Sequence, residues 1–204
     1  MSVSTLRDVH HMPGILGWVR KQLLRSRARL MEATARLRAR TLNVSRVNEQ
    51  LLVGGHVPVA AYARLRAMGI THVIDVRAER CDDREALAAV GIELLHLSAP
   101  DRHAVPLDAL RQGVHWALPR LANGGQVFCH CEHGVGRGPS MALAILVAQG
   151  WDATDAYRLI RKARWRVTLN DRQLEGLMRF VESTHAAPVP AGTSRFMRRP
   201  RSSS

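Results

Sequence analysis

The stretch FCHCEHGVGRGPS, Phe128 to Ser140, decides how this chain is read. It sets two cysteines, two histidines, three glycines and an arginine between a short apolar run ending at Cys129 and the long apolar run MALAILVAQG. The first run predicts a buried strand and the second a buried helix. Cys131 then falls where a strand ends and a helix begins, the place at which α/β sheets bind their ligands. A loop built on Gly134 and Gly136, with its amides curled inward and a helix N-terminus behind it, forms a positive concavity that suits a phosphate dianion and favours a thiolate. Arg137 follows Cys131 by six positions and can close its planar fork on two phosphate oxygens. The five residues between them, Glu132, His133, Gly134, Val135 and Gly136, are enough to encircle one tetrahedral anion. Phosphate-ester hydrolysis through a cysteine nucleophile is the chemistry that fits. Neither a metal nor a cofactor is called for.

Outward from the loop, strands alternate with helices. Val44 to Val53 reads as strand-like, Gly54 and Gly55 turn the chain, and Pro58 opens a helix to about Met68 that Gly69 ends. THVIDV from Thr71, ELLHL from Glu93 and the run from Gln126 to Cys129 read as strands, with helices predicted around 84–90 and 107–121. Three further helices are expected at 140–149, 153–162 and 171–184. This order predicts an α/β fold with a central, mostly parallel sheet flanked by helices. Asp75 and Arg77, close together in a buried-looking strand, read as a structural pair.

A cysteine with an arginine six residues later is a weak signal in a chain so rich in arginine. The strand before it, His130 directly ahead of the cysteine, the glycines and the apolar helix make the pattern specific. On these residues the chain resembles the cysteine-dependent protein tyrosine phosphatases, and within them the small dual-specificity branch, over about 44–182. RVNEQLLVGG at Arg46 to Gly55 looks like the opening strand pair of that family, and RLIRKARWRVTLNDRQLEGLMRF at Arg158 to Phe180 like its closing helices. The resemblance implies a two-step phosphomonoesterase with Cys131 as nucleophile, Arg137 as phosphate clamp and a carboxylic acid to protonate the leaving oxygen. Asp101, in LSAPDRHAVP about thirty residues before the cysteine, stands where the family carries that acid. His103 is the rival candidate, and Asp108 reads as a first-turn carboxylate of the next helix. His130 and Ser140 are read as support for the loop.

There are departures from the family pattern. Gly138 follows the arginine where the family has a hydroxyl that eases departure of the cysteine thiolate, and Ser140 lies two positions too far on. Slow breakdown of phosphocysteine is therefore expected. Glu132 in the loop argues against highly anionic substrates such as inositol phosphates, for which lipid phosphatases of the family carry lysines. Cys129 or Cys81 is a candidate partner for a protective disulfide with Cys131.

The chain has 204 residues, and its formal net charge of +13 belongs to its two ends. Arg20 to Arg40 sets eight cationic side chains against Glu32, and the tail adds Arg195, Arg198, Arg199 and Arg201. Leu16, Leu23, Leu30 and Leu37 form an apolar stripe among the N-terminal arginines, as an amphipathic helix would. The expected organisation is a basic helix over 1–42, a catalytic domain over 43–185 and a disordered basic tail over 186–204. The helix is read as packing on the domain or lying on an anionic membrane. Nucleic acid is disfavoured, because no aromatic residues interleave with the basic ends. With three cysteines, no secretory signal and no membrane span, a cytoplasmic or membrane-peripheral location is expected. The Arg-rich, acid-poor start keeps a mitochondrial transit peptide open. A phosphorylated protein is the expected substrate. The alternatives are a phosphatase of lipid or glycan phosphates at a membrane and a phosphatase-like module that binds phosphate with weak turnover. A sulfurtransferase with a looped cysteine is disfavoured by Asp101 and by the Arg137 spacing.

Overall fold

A computed structural model of the chain describes residues 42–186. Apart from Leu42, the basic helix expected over 1–42 lies outside the described residues, as does the tail expected over 186–204 apart from Ala186, which ends the last helix. Five strands form one sheet in the order β1-β2-β5-β3-β4, and every neighbouring pair is parallel except β1 with β2.

The strand-like segment from Val44, which resembles an opening strand pair over Arg46 to Gly55, is a hairpin of β1 (Val44–Arg46) and β2 (Leu51–Gly54). Asn48 makes the turn, because its Oδ1 accepts from the amides of Gln50 at 2.9 Å and Leu51 at 2.8 Å. A carboxamide bonding its own downstream backbone offers the chain an alternative to continued extension. The helix expected from Pro58 begins as a 3-10 turn at Val59–Ala61 and becomes α1 only over Tyr62–Ala67. β3 (His72–Arg77) leads to α2 (Arg84–Ala89), whose first turn is capped by Asp83 accepting from the Ala86 amide, and then to β4 (Glu93–Ala99). α3 (Leu107–Ala122) carries the chain across to β5 (Val127–His130).

β5 is the axis of the fold. It pairs with β2 on one side and β3 on the other, and all four of its residues are buried. It feeds α4 (Arg137–Ala148), in which every residue from Arg137 to Val147 is buried. A helix apolar on all sides belongs inside a core, and α4 packs between the sheet and α3, α5 (Ala153–Ala163) and α6 (Asp171–Ala186). The sequence placed the start of α4 at Ser140. The structure begins it three residues earlier, so that Arg137 is its first residue.

A buried charge network lies inside this frame. Arg77, at the end of β3, is fully buried with Asp75, and their side chains form the expected pair through Nε to Oδ1 at 2.9 Å and Nη2 to Oδ2 at 2.8 Å. The same guanidinium donates to Asp82 at 2.5 Å and to Glu132 at 3.1 Å. Burial works against its charge, but the hydrogen bonds and charges of Asp75, Asp82 and Glu132 outweigh it and raise its pKa. Removing one member of such a network leaves uncompensated charge in a low dielectric. Arg77→Met should therefore cost roughly 3–5 kcal/mol of unfolding free energy, read by urea denaturation. A loss under about 1 kcal/mol would mean that the carboxylates relax to water.

Candidate active site

Cys131 follows β5 directly, is 3% exposed, and its Sγ accepts from the Gly134 amide at 3.3 Å. Gly134 has φ +67, and a Cβ there would fall 2.2 Å from the Gly54 carbonyl carbon. Only glycine lets the loop turn there while lying against the end of β2. From the outer side Arg164, 7% exposed, donates Nε to the Gly134 carbonyl at 2.6 Å and Nη2 to the His133 carbonyl at 2.8 Å. The loop carbonyls are thereby drawn outward and its amides left facing in. Arg164 was invisible in the sequence, one arginine among many, because its role depends on the α5–α6 turn passing beneath the loop.

Arg137 is 1% exposed and almost completely engaged. Glu79 takes a bidentate pair from Nη1 and Nη2 at 2.7 Å each, the Ala99 carbonyl takes Nη1 at 2.8 Å, and Asp101 Oδ1 lies 2.8 Å from Nη2. Among the described residues Nε has no partner, and a phosphate oxygen entering beside it would compete with Asp101 for Nη2. Glu79 was not singled out in the sequence, since it stands on the β3–α2 connection with no motif around it. The Arg137 hydrogen bond, ahead of the opposing effect of burial, brings the Glu79 pKa from 4.5 down to about 2.

The pocket so formed, about 290 Å³, brings Cys131, Arg137 and Asp101 together with His133, Val135 and Gly136 of the loop. Thr168, Asn170, Gln173 and Arg102 complete its wall and were not anticipated as site residues. His103 turns from the acid position, its Nδ1 lying 2.8 Å from the Asp101 carbonyl oxygen. Asp108 stands in the first turn of α3 as expected.

Glu132 does not line the pocket: its carboxylate turns back to Arg77 at 3.1 Å. The objection it raised against anionic substrates therefore falls away. His130 is buried and stacks on Phe128, and its Nε2 lies 2.9 Å from Asp82 Oδ2 without the alignment of a directed hydrogen bond. Burial would raise the Asp82 pKa, but His130 and Arg77 outweigh it and hold it low. Ligand atoms of Asp75, Asp82 and His130 cluster within 4.8 Å, as a metal site would need. The Arg77 guanidinium already donates to both carboxylates and takes the place of a cation.

Ser140 does not supply the missing hydroxyl, since its Oγ donates to the Gly136 carbonyl at 3.1 Å. Position 138 has no room for one either. A Cβ there would meet His130 Cα at 2.9 Å and the Cys131 nitrogen at 3.1 Å. Cys129 and Cys81 are free thiols with raised pKa values, Cys129 by full burial and Cys81 first by burial and then by Asp75 and Asp82. Neither is a ready thiolate for the expected disulfide.

A thiol at the mouth of an amide-lined loop, a guanidinium at the following helix N-terminus and a carboxyl group across the pocket define a cysteine-dependent phosphatase. The chain belongs to the family described as dual specificity phosphatase, catalytic domain, which it matches over residues 53–183. It is 32% identical over 115 residues to the human phosphatidylglycerophosphatase and protein-tyrosine phosphatase 1, an alignment covering 55% of this chain and 57% of that protein. The mouse protein of that name is 34% identical over 102 residues, 49% of this chain and 53% of the other. The chain thus spans only a little over half the length of these relatives. The crystal structure of PTPMT1 in complex with PI(5)P superposes with a TM-score of 0.65 at 27% identity, over 71% of this chain and 99% of the other. Human DUSP28, at 19% identity and a TM-score of 0.63 over 71% and 97%, shares the fold.

Two variants test this arrangement. Glu79→Gln should weaken vanadate binding about tenfold by loosening the Arg137 fork. Because the folded pKa of Glu79 is depressed, its stabilising effect is present above about pH 4.5 and lost as the pH falls toward 2. The Tm gap between wild type and Glu79→Gln should close across that window, and a constant gap would contradict the clamp. Gly138→Ser, which restores the family hydroxyl, should lower both Tm and turnover because its Cβ meets the backbone. Faster turnover would show that α4 can withdraw.

Proposed function

We propose that the protein hydrolyses phosphomonoesters in two steps through Cys131, and that its substrates are phospholipid monoesters. The observation that carries the chemistry is the convergence of Cys131, Arg137 and Asp101 on one pocket. In the first step Cys131 Sγ attacks phosphorus, the bond to the leaving oxygen breaks, and protonated Asp101 gives that oxygen its proton. The Gly134 amide and the α4 N-terminus hold the thiolate beforehand, and Arg137 takes the equatorial oxygens. In the second step water attacks phosphorus, the carboxylate of Asp101 accepts the water proton, and the P–S bond breaks to return the thiolate. With no hydroxyl at position 138 and Ser140 engaged elsewhere, the departing sulfur depends on the Gly134 amide and the helix terminus.

The choice of phospholipid over phosphoprotein has two supports. Glu132 is spent on Arg77, leaving the loop free of a repelling carboxylate, and the pocket wall carries Arg102 beside Arg137. The solved structure holding PI(5)P points the same way, and the curated relatives carry both a phosphatidylglycerophosphatase and a protein-tyrosine phosphatase in their name. A membrane-peripheral location, through the basic N-terminal segment, follows from such a substrate.

The experiment compares vesicles containing phosphatidylglycerophosphate with a phosphotyrosine peptide. Wild type should release phosphate faster from the vesicles, and a faster peptide reaction would return the reading to a protein phosphatase. Asp101→Asn should cost on the order of 10²-fold with either alkyl phosphate or lipid and much less with p-nitrophenyl phosphate, whose leaving group hardly needs a proton. Equal losses would make Asp101 structural.

A further inference from the structure

The carboxylates of Glu79 and Asp101 both pair with Arg137, so the catalytic guanidinium brings little net charge to the pocket. Arg102 is the second arginine of the pocket wall, and among the described residues no carboxylate or other side chain pairs with its guanidinium. Its backbone is unusual. Arg102 has φ 60, making it the non-glycine residue of the described chain in the left-handed region. It sits at the third position of a turn closed by the His103 amide on the Pro100 carbonyl at 3.2 Å, a place that glycine or asparagine would fill without strain. An arginine there needs the surrounding structure to hold it.

The hold comes from the start of α6. Asn170 Nδ2 donates to the Arg102 carbonyl at 3.0 Å and Gln173 Nε2 to the His103 carbonyl at 3.4 Å. The two amides are fixed by each other: Asn170 Oδ1 accepts from the Gln173 amide at 3.0 Å and Gln173 Oε1 from the Asn170 amide at 3.3 Å. This reciprocal cap leaves both spare NH₂ groups aimed at the loop that bears Asp101. One turn therefore brings two residues to the pocket: Asp101, whose carboxylate meets Arg137, and Arg102, whose guanidinium has no side-chain partner among the described residues.

We propose that Arg102 is a specificity residue that selects monoesters carrying a phosphodiester near the scissile phosphate. The reacting dianion is already met by Arg137 and the loop amides, whereas a bare phosphotyrosine has nothing to offer a second cation. A planar fork suits two oxygens of one phosphate, so a phosphodiester in the head group satisfies it bidentately. This rests on the phosphomonoesterase reading above and refines its substrate.

The test uses the full chain and two soluble probes: glycerophosphoglycerol phosphate, with one monoester and one diester, and glycerol monophosphate, which lacks the diester. Wild type should favour the first about tenfold in kcat/KM, mainly through KM. Arg102→Gln should bring that ratio close to one, and Arg102→Lys should keep part of it. Arg102→Gly also removes the preference but relieves the left-handed strain, so its Tm should equal or exceed wild type, which separates lost recognition from a damaged loop. Asn170→Ala should reduce the preference together with the leaving-group dependence supplied by Asp101. A ratio unchanged in Arg102→Gln, equal turnover of the probes by wild type, or no turnover of the first overturns the proposal. So does an Arg102-dependent preference for acidic phosphotyrosine peptides. Preference on the soluble probes without activity on vesicles would uphold Arg102 and sink the lipid reading alone.

Discussion

The start of α4 stands so near the end of β5 that position 138 has no space for a Cβ: the nearest backbone atom would be 2.9 Å away. The other features of the site follow from this approach. It sets the start of the helix against the backbone of His130 and Cys131, with Arg137 as the first helical residue, and excludes the hydroxyl that relatives of this type place after the arginine. A helix buried on all sides cannot move outward without opening the core, so the approach is maintained by the packing of α4 against the sheet and three neighbouring helices. The close positive terminus is exchanged for the hydroxyl.

Two buried arginines divide the electrostatic work. Arg77 gathers Asp75, Asp82 and Glu132 beneath the loop and turns the loop carboxylate away from the substrate. Arg137 is held from above by Glu79 and Asp101. Each is compensated, as burial demands. The difference is accessibility: Asp75 and Asp82 are enclosed with Arg77 and Glu132 is largely covered, while the Asp101 side chain is more than half exposed, where an incoming phosphate can displace it. Arg164 performs a third task with no carboxylate at all, bonding only neutral oxygens. Burial accordingly lowers its pKa.

The sheet, its mostly parallel order and the strand-loop-helix setting of Cys131 were all legible in the sequence, because β-branched runs, glycine stops and an apolar helix are local signals. Asn48 turns the opening strand pair through its own side chain. The elements that differed are the helix after Pro58, which begins as a 3-10 turn, and α4, which begins at Arg137 because the phosphate loop uses fewer residues before helical bonding starts.

By itself the sequence named the candidate reacting groups. The spacing of Cys131 and Arg137, the glycines between them and Asp101 after a strand specify a phosphate site where the chain folds as α/β, since the first four are neighbours along the chain and Asp101 follows β4, one strand removed from β5 across β3. What only the tertiary structure decided is where each charge goes. Glu132 reads as a pocket carboxylate and is instead bound to Arg77. Glu79, Arg164, Asn170 and Gln173 carry no motif, yet they hold the arginine, the loop and the acid turn. Their partners lie 30 to 70 residues away in sequence, and a hydrogen bond across that separation is set by how helices pack on a sheet, which no local pattern records.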